Sequence, residues 1–230
     1  MRKLFTIDLK DYNPNGKKFY RSSVRGIIFD HDGNIAMIYS QKYHFYKIPG
    51  GGIEGDETHL ETLAREIKEE TGMTLIPDSV KEFGEVLKIQ NGDESGKDTI
   101  HIQRNFYYTC KVEDEIGDQE LDDREKALDF VLRFVPIEEA IKVNSVFKSD
   151  DAFKKQMAER EKRVLEILKD RLMNLQDDKQ NSMDDYLEAL GVNREIEFIY
   201  STPEEALSLK CFDGKSFSGI ESEATHKYII

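Results

Sequence analysis

The sequence is poor in positive charge. Its 230 residues include 33 Lys and Arg against 46 Asp and Glu, which gives a formal net charge of −13. A chain this acidic does not hold nucleic acid or an anionic membrane surface by general electrostatic attraction. We therefore expect no nucleic-acid partner. A phosphate-rich ligand would need a metal ion or a few local basic residues.

Long apolar runs and cysteines are also scarce. No stretch reaches 18 consecutive apolar residues, the length typical of a transmembrane helix, and the N-terminus lacks the apolar core of a secretory signal. We therefore expect a soluble, cytoplasmic protein without a membrane partner. The two cysteines, Cys110 and Cys211, lie far apart and lack metal-ligand spacing, so we interpret them as reduced, partly buried thiols.

Strand patterns dominate the first half of the chain. Strands are predicted at 3–8 and 20–29, and Asp32-Gly33 is a hairpin turn signal between the second of these and the apolar run NIAMIYS. Two long strands follow on either side of the polar loop NGDESGKD. Together with the helices described next, these strands indicate a mixed α/β (α+β) protein.

A long amphipathic helix is predicted over 150–174, where apolar residues recur at helical spacing. The polar stretch QDDKQNSMDD that follows is the best candidate linker. We therefore predict a main domain at 1–176 and a small C-terminal α+β extension at 177–230, whose pattern suggests a helix, a strand and a helix. Three roles stay open for this extension: covering a cleft, forming a homodimer, or binding a partner.

The segment PGGGIEGDETHLETLAREIKEETGM joins a glycine-rich turn to an acidic helix. Thr58 and Glu61 have capping-box spacing, and Gly72 stands where a helix would end, so a helix is predicted over 58–71. In helical projection an apolar face forms, and three glutamates group beside it: Glu66, Glu69 and Glu70. Helical spacing alone favours a solvated acidic face over a site that binds a cation.

Residues at fixed offsets reverse that preference. The segment satisfies the pattern Gly, five residues, Glu, seven residues, Arg-Glu-aliphatic-x-Glu-Glu-x-Gly-aliphatic, through Gly51, Glu57, Arg65, Glu66, Ile67, Glu69, Glu70, Gly72 and Met73. This is the Nudix box, and the sequence resembles a Nudix hydrolase over about residues 1–172. The resemblance implies an α/β/α sandwich with a mixed sheet, in which the box forms a loop, a helix and a loop. The C-terminal extension lies outside it.

The resemblance also implies a reaction. Nudix enzymes generally cleave a diphosphate linked to another moiety by attack of water on phosphorus, so the expected partner is a small nucleoside diphosphate derivative such as a nucleotide sugar, ADP-ribose or a nucleoside triphosphate. Two like charges about 4 Å apart repel by about 4 kcal/mol at an effective dielectric of about 20. An acidic helix facing phosphates therefore needs a hard divalent cation, and Mg²⁺ is expected, with Mn²⁺ as the alternative.

Carried over residue by residue, the resemblance assigns the metal ligands. Glu69 and Glu70 are the main ligands, Glu66 is a further ligand or the group that orients water, and the Gly50 carbonyl is an additional ligand. The resemblance also assigns four catalytic residues, which are Arg65, Glu66, Glu69 and Glu70. Structural support is expected from Gly51, Gly72 and Glu57, the last as the ion-pair partner of Arg65.

Two assignments stay open in the sequence. The general base can be a glutamate of the later loop 113–125, which offers Glu115, Glu120 and Glu125. Phosphate contacts can come from basic residues that flank the strands approaching the cleft, namely Arg21, Arg25, Lys42 and Lys47, among which Arg25 and Lys47 are the chosen candidates. Ordinary surface charge is the competing interpretation for each of them.

Two other functions compete with hydrolysis. One is a nucleotide-sensing transcriptional regulator, with a Nudix-like domain joined to a C-terminal interaction unit. Acidic residues outnumber basic ones over 151–230 and no basic recognition helix is evident, which disfavours DNA binding. The other is a Nudix-fold isomerase of isoprenoid diphosphates, for which no additional His and Cys pattern is present. The intact set of box glutamates favours catalysis over sensing.

Overall fold

The computed structural model describes residues 1–92, 98–177, 198–201 and 226–229. Its elements in chain order are β1 (Lys3–Asp8), β2 (Lys17–Ile27), β3 (Ile35–Ser40), β4 (Phe45–Lys47), β5 (Gly50–Gly52), α1 (His59–Thr71), β6 (Met73–Asn91), β7 (Thr99–Ile116), α2 (Asp123–Ala127), β8 (Phe130–Val135), α3 (Ile137–Val146), α4 (Ala152–Asp177), β9 (Phe198–Ser201) and β10 (His226–Ile229). The fold is mixed α+β, as the sequence predicts. No helix among these residues is long and apolar enough to cross a membrane.

The strands of the first 193 residues form two sheets. The larger sheet has the order β1-β6-β7-β2-β5, and it is mixed because β1 runs parallel to β6 and β2 parallel to β7, whereas the other neighbours are antiparallel. The smaller sheet, β4-β3-β8, is antiparallel. In the second unit, Arg194–Ile230, β9 and β10 pair antiparallel.

The predicted hairpin at Asp32-Gly33 is only partly right. The chain does turn there, with Gly33 at a φ of 82°, but β2 and β3 belong to different sheets and meet only at a bridge between Phe29 and Ile35. The reason is that β4 and β8 already pair with the two edges of β3. Turn chemistry predicts the reversal, but long-range pairing decides which strands become partners.

The larger sheet is covered by helices on both faces, which gives the predicted α/β/α sandwich. Alternate residues of β2 and its continuation point to opposite sides, as strand geometry requires. Val24 and Ile28 pack in a cluster with Leu63 and Ile67 of α1. Ile27 packs on the other side, in a cluster that contains three residues of α4, Val164, Leu165 and Leu168. Full burial of such side chains contributes about 1.5–3 kcal/mol each.

Helix α1 begins and ends where the sequence predicts. The Thr58 side chain accepts a hydrogen bond from the Glu61 N–H, and the Glu61 carboxylate accepts one from the Thr58 N–H, which completes the capping box. At the other end Gly72 adopts a left-handed conformation with a φ of 74°. A Cβ at this position would lie 2.0 Å from the Gly117 carbonyl oxygen, so only glycine fits.

Several predicted boundaries move by a few residues. The long helix α4 runs from Ala152 to Asp177 instead of 150–174, and β7 extends to Ile116, into the stretch predicted as an acidic loop. Most of the helix-strand-helix prediction for the C-terminal extension, and Cys211 with it, lies outside the described residues. The division at 176/177 stays a prediction.

Cys110 lies in β7 at the centre of the α1 side of the core and is 2% exposed. Burial raises the pKa of its thiol from 9.0 to about 12. Because only the thiolate is nucleophilic, we expect alkylation of folded Cys110 by iodoacetamide at pH 8 to be at least about 10³-fold slower than in the denatured chain. Mass-spectrometric mapping of the labelled peptide measures this rate. Equal labelling of native and denatured protein would contradict the buried position.

Candidate active site

The Arg65 guanidinium is the centre of the box. Its Nε and Nη2 donate to the two oxygens of Glu57 at 2.8 and 2.9 Å, and Nη2 also donates to the Gly52 carbonyl at 3.1 Å. Its Nη1 donates to Glu66 at 2.9 Å and to Glu69 at 3.0 Å. One side chain therefore ties the glycine loop to helix α1 and orients two of the three clustered glutamates. The predicted ion pair between Arg65 and Glu57 is present.

The Arg65 side chain also holds the pKa of Glu57 down to about 2, from an ordinary 4.5. The ion pair therefore stabilises the fold above the ordinary pKa, and this contribution is lost as pH falls towards 2.

In Arg65→Gln we expect the pKa of Glu57 to return towards 4.5 in a carboxyl NMR titration. We also expect activity to fall about 10–100-fold, the effect usual for residues that orient ligands. Lys169→Gln, which breaks the ion pair with exposed Glu138, is the control and should change neither quantity. An unchanged Glu57 titration in Arg65→Gln would contradict this role.

The Glu66 carboxylate lies against the glycine loop. A Cβ on Gly51 would lie 2.4 Å from its Oε1, so a residue larger than glycine at position 51 would displace the carboxylate. Glu66 is 8% exposed, and burial raises its pKa, with Arg65 and Lys47 acting in the opposite direction. The close contact leaves no room for a side chain at position 51, and a supporting role for Gly51 stays a prediction.

Glu70 is the most deeply buried of the three glutamates, at 1% exposure. Its Oε2 accepts the Gly50 N–H at 2.8 Å, and its Oε1 forms an ion pair with the Lys47 ammonium group. The Glu125 Oε1 lies 4.0 Å from the same Lys47 nitrogen. Burial and the neighbouring Glu70 carboxylate raise the pKa of Glu125 to about 7. Two carboxylates thus crowd around one ammonium group.

The position of Glu125 distinguishes it from the other two glutamates considered as the general base. Glu115 and Glu120 are exposed, whereas Glu125 is half-buried beside Glu70. Glu125 is held there by the short helix α2, because it forms a capping box with Asp122. The sequence contains this signal, since Asp122 and Glu125 have the same spacing as Thr58 and Glu61, although a loop is predicted over 113–125.

Arg25 and Lys47, the two candidate phosphate contacts, are both buried, at 7% and 6% exposure. Arg25 Nη1 donates to the Ile48 and Gly50 carbonyls at 3.1 and 2.9 Å, and its Nε lies 3.7 Å from Glu161 on α4. These contacts hold the glycine loop in place. Binding of substrate phosphate by either residue stays a prediction.

The donor set suits a hard divalent cation. The predicted ligands Glu66, Glu69, Glu70 and the Gly50 carbonyl offer oxygen atoms only, the chemistry that Mg²⁺ prefers. The Glu125 carboxylate, beside Glu70, adds another oxygen donor. The raised pKa values of Glu66 and Glu125 show that deprotonated carboxylates are disfavoured here by burial and, at Glu125, by like charge. An added cation would offset both effects. Among the described residues, no three His, Cys, Asp or Glu side chains are arranged as a metal site, and Lys47 and Arg65 form ion pairs with these glutamates.

Comparison with known proteins places this fold and site in a family. The NUDIX domain matches residues 19–160, more than half of the chain. Because this match covers more than half of the sequence, the chain belongs to the NUDIX domain family. No curated protein matches the sequence. Within this family the chain is a pyrophosphohydrolase.

Solved structures with a similar architecture have low sequence identity. The Escherichia coli ORF135 protein is 20% identical, with a TM-score of 0.41 over 71% of this chain and 95% of its own. A NUDIX hydrolase from Nitrosomonas europaea is 16% identical, with a TM-score of 0.42 over 62% and 89%. A MutT structure from work on Aliivibrio salmonicida and Vibrio cholerae is 18% identical, with a TM-score of 0.38 over 62% and 99%. The family assignment rests on the domain match.

Proposed function

We propose that the protein hydrolyses the diphosphate bond of a nucleoside diphosphate linked to another moiety, and that it needs Mg²⁺ or Mn²⁺ to do so. The observation that carries the proposal is the buried set of acidic oxygens around Gly50, with Glu70 on its N–H and Glu66 against Gly51. This set lies next to a glycine loop whose small residues leave room for a phosphate group to approach the backbone.

Each side chain of the candidate active site has a defined task in this proposal. Arg65 orients Glu66 and Glu69, and Glu70 fixes the Gly50 backbone so that its carbonyl and the carboxylates converge. Glu125, half-buried beside Glu70 and Lys47, is the candidate to accept a proton from an attacking water. Lys47 balances the charge of Glu70 and Glu125. When bound, the divalent ion would polarise the phosphoryl group and offset its negative charge.

A substrate panel tests this function. It contains ADP-ribose, nucleotide sugars, ordinary and oxidised nucleoside triphosphates, and dinucleoside polyphosphates, each incubated with Mg²⁺, with Mn²⁺ and with a chelator. We expect metal-dependent release of a nucleoside monophosphate from at least one class, with ¹⁸O from labelled water incorporated into a phosphate product. Binding of these nucleotides without any cleavage would contradict the proposal.

A further inference from the structure

A row of polar side chains crosses the larger sheet beside the active site. The strand register places Arg21 of β2 opposite Gln103 of β7, and Gln103 opposite Lys88 of β6. Directly opposed residues lie on the same face with Cβ atoms about 4.5–5.5 Å apart. In the next row towards the β2 N-terminus, Phe19 lies opposite His101, and their rings are 5.5 Å apart. We call these five residues the polar row.

The polar row begins at the glycine loop. A Cβ placed on Gly52 would lie 2.9 Å from Arg21 Nη2, so the Arg21 guanidinium covers Gly52. The carbonyl of the same Gly52 accepts a hydrogen bond from Arg65. Gly52 therefore connects the row to the Arg65 cluster of the box through one residue of the glycine loop.

The row carries positive charge that is costly to bury without an anion. Lys88 is 6% exposed, and its pKa is lowered to about 8, mainly by burial and then by Arg160, with Asp11 acting in the opposite direction. The pKa of His101 is lowered by burial and by the charges of Lys88 and Arg21. Within residues 1–92 and 98–177, neither Lys88 nor Arg21 has a carboxylate at ion-pair distance. These side chains are therefore arranged to receive a negative group.

A polar side chain of helix α4 contacts the sheet in the row next to Gln103. Arg160 donates to Asn105 at 2.8 Å, and Asn105 lies in the strand register one row beyond Gln103. Gln156, one helical turn before Arg160, has a buried Oε1 without a hydrogen-bond partner among the described residues. Buried polar atoms are nearly always satisfied, so this oxygen is consistent with a donor group that arrives with a ligand.

We propose that the polar row is a second substrate subsite, which binds a phosphate or carboxylate in the moiety beyond the cleaved diphosphate while Phe19 contacts an adjacent ring or apolar surface. This inference rests on the proposed function and narrows its substrate class to derivatives with an additional anionic group. Arg21 and Lys88 are then specificity-determining residues. They act on the distal moiety and not on the reacting phosphorus.

Matched substrates that differ by one anionic group test the subsite. NADP⁺ differs from NAD⁺, and coenzyme A from its dephospho form, by one phosphate monoester, whereas UDP-glucuronate differs from UDP-glucose by one carboxylate. We define the preference as kcat/KM of the anionic member divided by kcat/KM of its partner. Hydrogen bonds to charged groups are stronger than those between neutral groups, so we expect a preference of about 10–100-fold for at least one pair. The pair that shows it identifies the source of the anion.

Two variants and one control make the test specific. In Arg21→Gln and Lys88→Gln the preference should fall towards one, because KM of the member with the additional anionic group rises. Arg21 is exposed, so its substitution is not expected to disrupt the fold. The Arg21 variant therefore still tests the subsite if the Lys88 variant does not fold. Lys18→Gln removes an exposed charge from the opposite face of β2 and should leave the preference unchanged.

The outcomes separate this inference from the proposed function. Equal cleavage rates for the two members of every pair in the unmodified protein would overturn the proposed subsite. The proposed hydrolase function would be unaffected by that result. An equal loss on both members in Arg21→Gln would also overturn the subsite, because that result would place Arg21 on the common diphosphate. Absence of cleavage for every substrate would contradict the proposed function. Titration calorimetry of the anionic and neutral members then still measures the subsite, and equal affinities would overturn it.

Discussion

Glu70→Gln is expected to lower metal-dependent hydrolysis by about 10³-fold. Glu70 is buried at 1% exposure and contacts both the Gly50 N–H and the Lys47 ammonium group. Glutamine keeps the shape and one acceptor oxygen but removes the charge that a divalent ion would bind. Charge stabilisation by such an ion is worth several kcal/mol in the transition state, and each 1.36 kcal/mol corresponds to about a tenfold change in rate. Steady-state kinetics with the best substrate of the panel measures the loss.

The same substitution leaves Lys47 without its nearest carboxylate, so stability must be followed separately. Glu125, 4.0 Å from the Lys47 nitrogen, can still balance that charge, and we expect the free energy of unfolding to fall by only about 1–2 kcal/mol. Lys47→Met combined with Glu70→Gln should recover this stability but not the activity. Glu159→Gln, which removes an exposed carboxylate of α4, is the control for both measurements. Retention of activity within tenfold in Glu70→Gln would remove Glu70 from the active site.

Gly50→Ala is expected to destabilise the fold by about 3 kcal/mol or more. Gly50 has a φ of 134°, a conformation that L-residues rarely adopt, and a Cβ would lie 2.1 Å from the Val24 carbonyl oxygen and 2.7 Å from the Arg25 Cα. Both neighbours are backbone atoms of the adjacent strand β2, so no side-chain rotation can relieve the clash. Backbone strain of this kind costs about 1–3 kcal/mol, and overpacking costs about 1–3 kcal/mol more.

Gly33 is the matched control because it has a positive φ, 82°, but open space around its Cβ position. Gly33→Ala should therefore cost only the conformational penalty, about 1–2 kcal/mol. Urea denaturation of both variants, analysed with a common slope, gives the comparison. Equal losses of stability would show that the close approach of β5 to β2 is not what requires glycine at position 50.

Local signals in the sequence account for much of the fold. Helix α1 is predictable at both ends because its capping box and its left-handed glycine are each encoded within four residues. The same logic, applied to Asp122 and Glu125, would have found α2. The assignment of β3 to a separate sheet was not predictable, because its partner β8 lies about 90 residues further along the chain and nothing local encodes that pairing.

The candidate site divides in the same way. The contacts of Arg65 with Glu57, Glu66 and Glu69 follow from the box, since all four residues lie within one loop and one helix. The partners of Lys47 and Arg25 depend on which strand edge meets which helix end. Spacing gives no information about such contacts, so both residues read in the sequence as free cations near a cleft.

The link between Arg25, the Gly50 carbonyl and Glu161 has a consequence for how the protein is made. The glycine loop emerges early in synthesis, but the carboxylate that lies against the Arg25 guanidinium belongs to Glu161 of α4, more than 100 residues after Gly50. A nascent chain that ends before Glu161 contains every residue of the box. It lacks the carboxylate that lies against Arg25, the side chain that holds the glycine loop. The glycine loop is therefore expected to be fixed in place only once α4 has been translated and has docked.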